Sequence, residues 1–279
     1  MRIHDTIAGL RSTLDALRAD GARIAFVPTM GNLHEGHASL MREAARRADV
    51  VVTSVFVNRL QFGPGEDFDR YPRTMDADCA RMREAGVAHV FAPDEAELYP
   101  QAQTLQVVPD PALAGLLEGA FRPGFFTGVA TVVTKLFNIV QPHVAVFGKK
   151  DYQQLMVIRQ LVQQLALPID IVAGETLRAE DGLALSSRNG YLSPDERSRA
   201  VQLHQALSAA RDALRAGNRD FTGIEQAATA FLEAHGWFPQ YIAVRRQADL
   251  QSPAAHESSL VILAAALLGS TRLIDNLEV

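Results

Sequence analysis

One segment, residues 24–45, most constrains how this chain can fold. It begins with a short apolar run at 24–27 that predicts a buried strand, and it ends with a stretch at 38–45 that predicts a helix. The connecting residues, Pro-Thr-Met-Gly-Asn-Leu-His-Glu-Gly-His, include two glycines, which allow a sharp turn and the close approach of a ligand. Pro28 has no N–H for a β-ladder, so we expect the strand to end there. The segment therefore predicts a strand, a tight turn and a helix in succession.

Two histidines, His34 and His37, lie at the start of this predicted helix. Their spacing of three places both imidazoles on one face of the first turn, where free N–H groups and the helix dipole attract anions. Histidine pairs at this spacing are most often simply solvated, and a zinc site would need further ligands at a defined spacing. Combined with the preceding strand and the glycines, the pair favours a site for the phosphates of a nucleotide.

Composition and charge narrow the class of protein. The chain has 279 residues, 48% of them hydrophobic, which is enough for two domains. The formal net charge of −5 provides no basic surface, so no nucleic-acid partner is expected. The single cysteine, Cys79, excludes an internal disulfide, and neither the N-terminus nor the apolar run at 260–268 resembles a signal or a membrane span. We therefore expect a cytoplasmic protein with no membrane partner.

Strands and helices alternate through the first 175 residues. This alternation predicts the α/β class with a doubly wound parallel sheet. The predicted strands cover residues 22–28, 49–57, 89–92, 105–108, 144–147 and 169–172. The predicted helices contain the apolar series Ile3, Ile7, Leu10, Leu14 and Leu17 and the residues 38–45, 74–85, 111–118, 129–140 and 152–165, with 119–128 irregular.

Polar side chains follow three of these strands. Ligands of doubly wound sheets bind beyond the carboxyl ends of the strands. The loops after the strands ending near residues 27, 57 and 147 carry, in turn, the two histidines, then Asn58 and Gln61, then Lys149, Lys150 and Asp151. A lysine at a strand–helix junction can bind phosphate or remain solvated, and the Walker pattern is absent. The polar groups on these three loops could therefore converge although they are far apart in the sequence.

The sequence changes character at about residue 176. Residues 176–190 are polar and are predicted to form a hinge. Ser193 and Pro194 are a typical helix start, and a long helix is expected to run to about residue 216, with a second at 221–235. The C-terminal residues predict strands, the last two joined by a Gly269-Ser270 hairpin turn. We therefore expect domains at 1–175 and 176–279, the second a smaller α+β domain.

Three further groups could bind substrates. Ser186, Ser187 and Arg188 offer two hydroxyls and a guanidinium that suit phosphate, although for this segment taken alone a helix cap or a turn is the favoured interpretation. Gln61 and Gln154 suit hydroxyl and carboxylate recognition, although most glutamines are surface residues. No Ser-His-Asp or Cys-His nucleophile pattern is present, so covalent catalysis is not expected.

Taken together, seven short motifs in this order resemble the pantoate–β-alanine ligase (pantothenate synthetase) family. The resemblance covers nearly the whole chain, including the C-terminal Thr-Arg-Leu-Ile-Asp-Asn at 271–276. The motifs are Pro-Thr-Met-Gly at 28–31, His-Glu-Gly-His at 34–37, Phe-Val-Asn at 56–58, Gln-Phe at 61–62, Tyr-Pro-Arg-Thr at 71–74, Lys-Asp-Tyr-Gln-Gln at 150–154 and Asp-Gly-Leu-Ala-Leu-Ser-Ser-Arg-Asn at 181–189.

The resemblance implies a fold and an activity. The expected fold is α/β, with a Rossmann-like doubly wound parallel sheet of the His-x-Gly-His nucleotidyltransferase type and a smaller C-terminal α+β lid domain. The expected enzyme is a cytoplasmic homodimer that joins pantoate to β-alanine with ATP and Mg²⁺. The reaction passes through pantoyl adenylate and releases pyrophosphate and AMP.

The resemblance also implies roles for individual residues, with no side chain assigned as a metal ligand. His34, His37, Lys150 and Arg188 would be catalytic. Pantoate would contact Met30, Asn58, Gln61 and Gln154. ATP would contact Met30, His34, His37, Gly148, Lys150, Asp151, Leu177, Leu185, Ser186, Ser187 and Arg188, with Gly148 and Asp151 near the ribose and adenine.

The chain departs from the family pattern at four places. Arg59-Leu60 stands where proline is frequent, Phe125 where histidine is common, Lys149 where glutamate is frequent, and Leu185 where methionine is frequent.

Two alternative functions remain open at the level of the sequence. Another His-x-Gly-His nucleotidyltransferase with a phosphorylated acceptor would need more basic residues than Gln61 and Gln154 provide. A nucleotide sensor without catalysis would not need His34 and His37 together with Lys150 and Arg188.

Overall fold

The computed structural model describes all residues, 1–279, and divides into two compact units. The first contains Met1–Lys149 and Gln154–Glu175, and the second contains Lys150–Gln153 and Thr176–Val279. The second unit thus includes four residues that the predicted domain boundaries assign to the first. None of the helices is both long enough and apolar enough to cross a bilayer.

The first unit is built around a six-stranded parallel sheet in the order β1-β4-β3-β2-β5-β6. The predicted α/β class and parallel sheet are therefore confirmed. The strands are β1 (Arg2–His4), β2 (Ile24–Thr29), β3 (Val50–Val55), β4 (His89–Phe91), β5 (Val144–Gly148) and β6 (Asp170–Gly174). The helices are α1 (Ile7–Ala19), α2 (Glu35–Ala45), α3 (Met75–Glu84), α4 (Glu95–Leu98), α5 (Pro111–Ala114), α6 (Glu118–Phe121), α7 (Phe125–Val140) and α8 (Tyr152–Gln164), whose first two residues belong to the second unit.

Apolar side chains on both faces of the sheet form the core of this unit. Phe26 and Val52 pack on one face with Leu10 and Ile158, all of them fully buried. Val51 belongs to a separate cluster on the other face. This burial on two sides explains why the sequence of β3 is a nearly continuous apolar run.

The second unit combines three helices with a three-stranded antiparallel sheet, as expected for a smaller α+β domain. The strand order is β7-β8-β9, and β8 and β9 are joined by the predicted hairpin turn at Gly269-Ser270. The helices are α9 (Pro194–Arg199), α10 (Val201–Arg215) and α11 (Phe221–Ala234), and the strands are β7 (Trp237–Arg246), β8 (Leu260–Leu268) and β9 (Thr271–Glu278).

Two expectations, one for the start of α1 and one for the end of β2, were wrong. Ile3 belongs to β1, which pairs with β4, and the helix starts only after the Thr6 cap, so sheet pairing overrides the apolar periodicity. Pro28 does not end β2, because the strand continues to Thr29. Thr29 O accepts from the N–H of Phe56 on the β3 side, so the missing Pro28 N–H faces the other side. There, pairing with β5 has already ended, and proline is tolerated.

Three further predictions of local structure were wrong. Residues 105–108 form no strand, because Leu105 and Val108 are exposed and the N–H of Val107 donates to Thr131 Oγ1 instead of a ladder. The region 119–128, expected to be irregular, contains most of α6 and the first turn of α7. The long helix expected after Pro194 is divided at Ala200 into α9 and α10.

Candidate active site

The strands β3, β2 and β5 are neighbours in the sheet and run parallel. Their carboxyl ends therefore meet at one edge, which is where ligands bind in this class of sheet. The segments that follow them carry Asn58 and Gln61, then His34 and His37, then Lys149. The three segments therefore leave neighbouring strands of the sheet.

A buried carboxylate, that of Asp78 on α3, holds the turn between β2 and α2. Its two oxygens accept the N–H groups of Asn32 and Leu33 at 3.0 and 2.7 Å, and Thr74 Oγ1 donates to it at 3.1 Å. Gly31 has a φ of +87°, a conformation that glycine adopts without strain. The turn that places His34 is therefore fixed by side-chain hydrogen bonds from outside the motif.

His34 and His37 form a reciprocal cap at the start of α2. His34 Nδ1 accepts the N–H of Gly36 at 3.1 Å, and His37 Nδ1 accepts the N–H of His34 at 3.2 Å. The two ring centroids are 4.1 Å apart. The prediction that both imidazoles share one face of the first turn is confirmed.

This cap determines the tautomer of both rings. A neutral imidazole has one donor and one acceptor nitrogen, and in both His34 and His37 the acceptor role falls to Nδ1. The ring proton must therefore reside on Nε2. Each histidine offers a neutral Nε2–H donor at a helix N-terminus, which is the polarity that a phosphate oxygen requires.

A chain of hydrogen bonds fixes the orientation of the Gln61 amide. Gly128 O can only accept, so the Asn58 atom 3.2 Å from it must be the amide nitrogen. The same nitrogen donates to Gln61 Oε1 at 3.1 Å, while Tyr99 Oη donates to Asn58 Oδ1 at 2.9 Å. Gln61 Nε2 is left as a donor, 3.2 Å from Met30 Sδ. Three residues expected at the pantoate site, Met30, Asn58 and Gln61, are therefore brought together.

Two members of this chain of hydrogen bonds, Tyr99 and Asn58, are kept in their roles by burial. Burial, together with the nearby charge of Glu95, raises the pKa of Tyr99, so its hydroxyl stays protonated and able to donate. Asn58 is almost fully buried, and all of its amide contacts are made within the protein. Tyr99 was not among the predicted site residues, because its contact with Asn58 spans 41 positions of the chain and leaves no local signal.

Phe125, one of the departures from the family pattern, takes part in the support of Gln61. The guanidinium carbon of Arg122 lies 3.7 Å from the centre of the Phe125 ring. Arg122 also forms a two-bond ion pair with Glu66, at 2.8 and 2.6 Å, and donates to Gln61 O at 3.1 Å. The aromatic ring at this position therefore stacks against the arginine that holds the Gln61 backbone.

The second unit contains a hairpin that leads into the predicted phosphate-binding residues. Leu185 N–H donates to Leu177 O at 2.9 Å, so these two predicted ATP contacts are neighbours. Ser186 follows directly, and its Oγ accepts the N–H of Arg188 at 3.3 Å. Ser187 and Arg188 begin a short 3-10 helix.

The remaining predicted residues follow β5. Gly148 ends β5 opposite Gly174 of β6, and Gln154 lies half-buried in the first turn of α8 in the first unit. Lys150 and Asp151 belong to the second unit. The backbone carbonyl of Lys150 accepts a hydrogen bond from Asn276 of β9 at 2.9 Å.

Comparison with known proteins gives consistent matches along the whole chain. The family model described as pantoate-beta-alanine ligase matches residues 2–278. A pantothenate synthetase from Leptothrix cholodnii is 61% identical over 285 residues, covering 100% of both chains. The crystal structure of pantothenate synthetase from Thermus thermophilus is 45% identical with a TM-score of 0.94, covering 100% of this chain and 99% of that one. A pantoate-beta-alanine ligase from Francisella tularensis, complexed with beta-gamma ATP and β-alanine, is 34% identical with a TM-score of 0.80, covering 100% and 97%.

Proposed function

Since the chain belongs to the pantoate–β-alanine ligase family and so condenses pantoate with β-alanine to pantothenate using ATP, we propose roles for its site residues. His34, His37, Lys150 and Arg188 stabilise charge on the ATP phosphates. The other proposed ATP contacts are Met30, Gly148, Asp151, Leu177, Leu185, Ser186 and Ser187. Met30, Asn58, Gln61 and Gln154 form the pantoate site.

The reaction proceeds in two steps. The pantoate carboxylate attacks the α-phosphorus of ATP, giving pantoyl adenylate and releasing pyrophosphate. The amine of β-alanine then attacks the acyl carbon, forming the amide and releasing AMP. In both steps negative charge accumulates on the departing phosphate group, and prepositioned donors stabilise charge as it develops.

The double cap of α2 carries the phosphate assignment. Because Nδ1 of His34 and of His37 accepts a backbone N–H, each ring can offer only its Nε2–H to a ligand. Two such donors at one helix N-terminus suit an anion and would repel a cation. No side-chain nucleophile is required, since adenylation activates the carboxylate directly.

The pantoate assignment is supported by the fixed amide of Gln61. Its nitrogen presents a donor beside Met30, and pantoate offers a carboxylate and hydroxyl oxygens that accept. A phosphorylated acceptor, as in the alternative nucleotidyltransferase, would be matched better by cationic side chains than by Gln61 and Gln154.

Mg²⁺ is proposed as the counter-ion that enters with ATP. No group of three or more His, Cys, Asp or Glu side chains is arranged to hold a metal ion. Mg²⁺ is commonly held by substrate phosphates and water with few protein ligands. The residues present therefore suit a Mg²⁺ ion that is held by the phosphates of the nucleotide and not by protein side chains.

We also propose that the enzyme is a cytoplasmic homodimer whose residues 176–279 act as a lid on a domain of residues 1–175. Leu105 and Val108 supply exposed apolar surface of the kind that subunit contacts cover. Sedimentation of the purified protein should give a dimer, and a monomer at all concentrations would contradict this part of the proposal.

One assay tests the overall function. AMP should form from ATP only when pantoate and β-alanine are both present, in equal amount to pantothenate. Pantoate alone should support exchange of labelled pyrophosphate into ATP, since adenylation precedes amide formation. Exchange that needs β-alanine would contradict a separate adenylation step.

A further inference from the structure

The C-terminal strand β9 carries two buried polar residues, Asp275 and Asn276, that no step of the reaction has used. Both are more than nine-tenths buried. A buried carboxylate and a buried amide are costly unless they are hydrogen-bonded, so their partners indicate what they are for.

Asp275 binds Arg178 through two parallel hydrogen bonds. Arg178 Nη1 donates to Oδ2 at 2.7 Å and Nη2 donates to Oδ1 at 2.8 Å, the geometry in which a guanidinium holds a carboxylate most firmly. Nη2 also donates to Asn276 O at 3.2 Å, and Nη1 to Gly182 O at 3.1 Å. One arginine therefore joins β9 to the turn at Gly182.

Arg178 lies in the hairpin that precedes the proposed phosphate-binding residues. It pairs with Ala184 across the hairpin, and Ala179 N–H donates to Leu183 O at 2.8 Å. The second arm of the hairpin continues directly into Ser186. A hairpin held at Arg178 therefore determines where the chain enters the segment 186–188.

Asn276, the next residue of β9, holds the other proposed phosphate-binding segment. Its Nδ2 donates to the carbonyl oxygen of Lys150 at 2.9 Å. Two residues farther along β9, Glu278 accepts a hydrogen bond from the hydroxyl of Tyr152 at 3.1 Å. The strand therefore binds the backbone at Lys150 and the side chain of Tyr152.

We propose that Asp275 and Asn276 are positioning residues that fix the Lys150 segment relative to the segment 186–188 before ATP binds. The inference rests on the proposed role of these segments in holding the ATP phosphates. A catalytic donor that is misplaced by about an ångström loses much of its effect, so a rigid connection between two donor segments raises the rate of adenylation.

Asn276→Ala tests the first of these connections. We expect about a tenfold slower adenylate formation in single turnover at saturating ATP and pantoate, the loss expected when one hydrogen bond no longer positions the donor. Gln240→Ala is a matched control, because it removes the 2.7 Å hydrogen bond from Arg272 of the same strand without touching either segment. Adenylate formation in the control should remain at the wild-type rate.

A double-mutant cycle separates positioning from a general loss of stability. Asn276 contacts the backbone carbonyl of Lys150, so Lys150→Ala leaves this bond in place and removes only the side chain being positioned. If Asn276 acts through that side chain, Asn276→Ala should change the rate by less than about twofold in the Lys150→Ala background. A structural role would give the same loss in both backgrounds.

A second double-mutant cycle tests the connection between Asp275 and Arg178. Arg178→Lys keeps the charge but cannot make the two-bond contact with Asp275. It should slow adenylation in the wild type and have little further effect once Arg188→Ala has removed the positioned guanidinium.

The outcomes distinguish the two proposals. If Lys150→Ala and Arg188→Ala leave adenylation unchanged, the proposed phosphate contacts are wrong, and the positioning role fails with them. If these variants lose activity but Asn276→Ala and Arg178→Lys do not, or the losses multiply, only the positioning role is overturned. Should Asn276→Ala fold poorly by circular dichroism, Asn276→Leu, which is close in size and has neither the donor nor a charge, replaces it in the same cycle.

Discussion

Lys149 Nζ lies 2.7 Å from Glu175 Oε1, so this lysine is ion-paired within the first unit. The adjacent Lys150 belongs to the second unit. The two lysines share charge and length but have different surroundings, and they form a natural internal control.

Lys150→Ala should lower adenylate formation by roughly a hundred- to a thousandfold, the usual loss for one prepositioned charge-stabilising donor. Lys149→Ala should have little effect, because Glu175 is largely exposed and such pairs contribute little. Single-turnover formation of pantoyl adenylate measures both variants. Equal losses would mean that the general positive potential matters and that Lys150 has no specific role.

The structural role of His34 as a helix cap and its proposed role as a phosphate donor can be tested separately. Asparagine is among the best N-cap residues, so His34→Asn should keep α2 capped while removing the Nε2–H donor. We expect its thermal stability to stay near the wild type and adenylation to fall by about a hundredfold. His34→Ala should lose the cap as well, at a cost of about 0.5–2 kcal/mol in the free energy of unfolding. Adenylation at the wild-type rate in His34→Asn would contradict the phosphate assignment.

Tyr99→Phe tests the hydrogen bonds behind Gln61. Without the hydroxyl, the buried Asn58 Oδ1 loses its donor, and one of the three hydrogen bonds that hold this amide is removed. In Tyr99→Phe the pantoate KM should rise several-fold while the ATP KM stays unchanged. Gln61→Ala removes the contact with pantoate itself and should raise the pantoate KM further, because leaving a buried polar group unpaired costs about 1–3 kcal/mol. Gln106→Ala, at an exposed glutamine, is the control. Equal changes in both KM values would point to a damaged fold.

The Asp275–Arg178 pair should make the second unit sensitive to acid. Burial acts to raise the pKa of Asp275, but the neighbouring His204 and the hydrogen bonds from Arg178 outweigh it and hold the pKa below its ordinary value. The carboxylate therefore contributes stability above the unfolded pKa of about 3.9, and this contribution is lost as the pH falls through the lower folded value. Urea unfolding should show Asp275→Asn less stable than the wild type at pH 7, with the difference shrinking below about pH 4. A difference that stays constant with pH would show that Asp275 is not ionised in the folded protein.

Much of the fold was predictable because its signals are local. The segment 24–37 combines an apolar strand, glycines and two histidines within fourteen residues, and the β-branched run of β3 indicates burial on both faces. The general rule that ligands of parallel sheets bind beyond the carboxyl ends of the strands pointed to the loops that carry His34, His37, Asn58 and Gln61. The order of β3, β2 and β5, which makes these loops neighbours, is given by the structure.

The supporting contacts were not predictable because they join distant parts of the chain. Tyr99 reaches Asn58 over 41 positions, and Asn276 reaches the Lys150 carbonyl over 126. Asp78 stabilises the histidine turn from another helix. Only the C-terminal Thr-Arg-Leu-Ile-Asp-Asn pattern indicated that β9 has a role, and the sequence did not identify its partners. The strand at Ile3 was missed for the same reason, since its partner β4 lies more than 80 residues away.

The capping of α2 by His34 and His37 places the start of a helix and the proposed phosphate site in the same two side chains. A ligand held by the two Nε2–H groups would also hold the rings whose Nδ1 atoms accept the backbone N–H groups of His34 and Gly36. Amide hydrogen exchange at these two positions should therefore slow when ATP binds, and the backbone of the first turn would report whether the site is occupied.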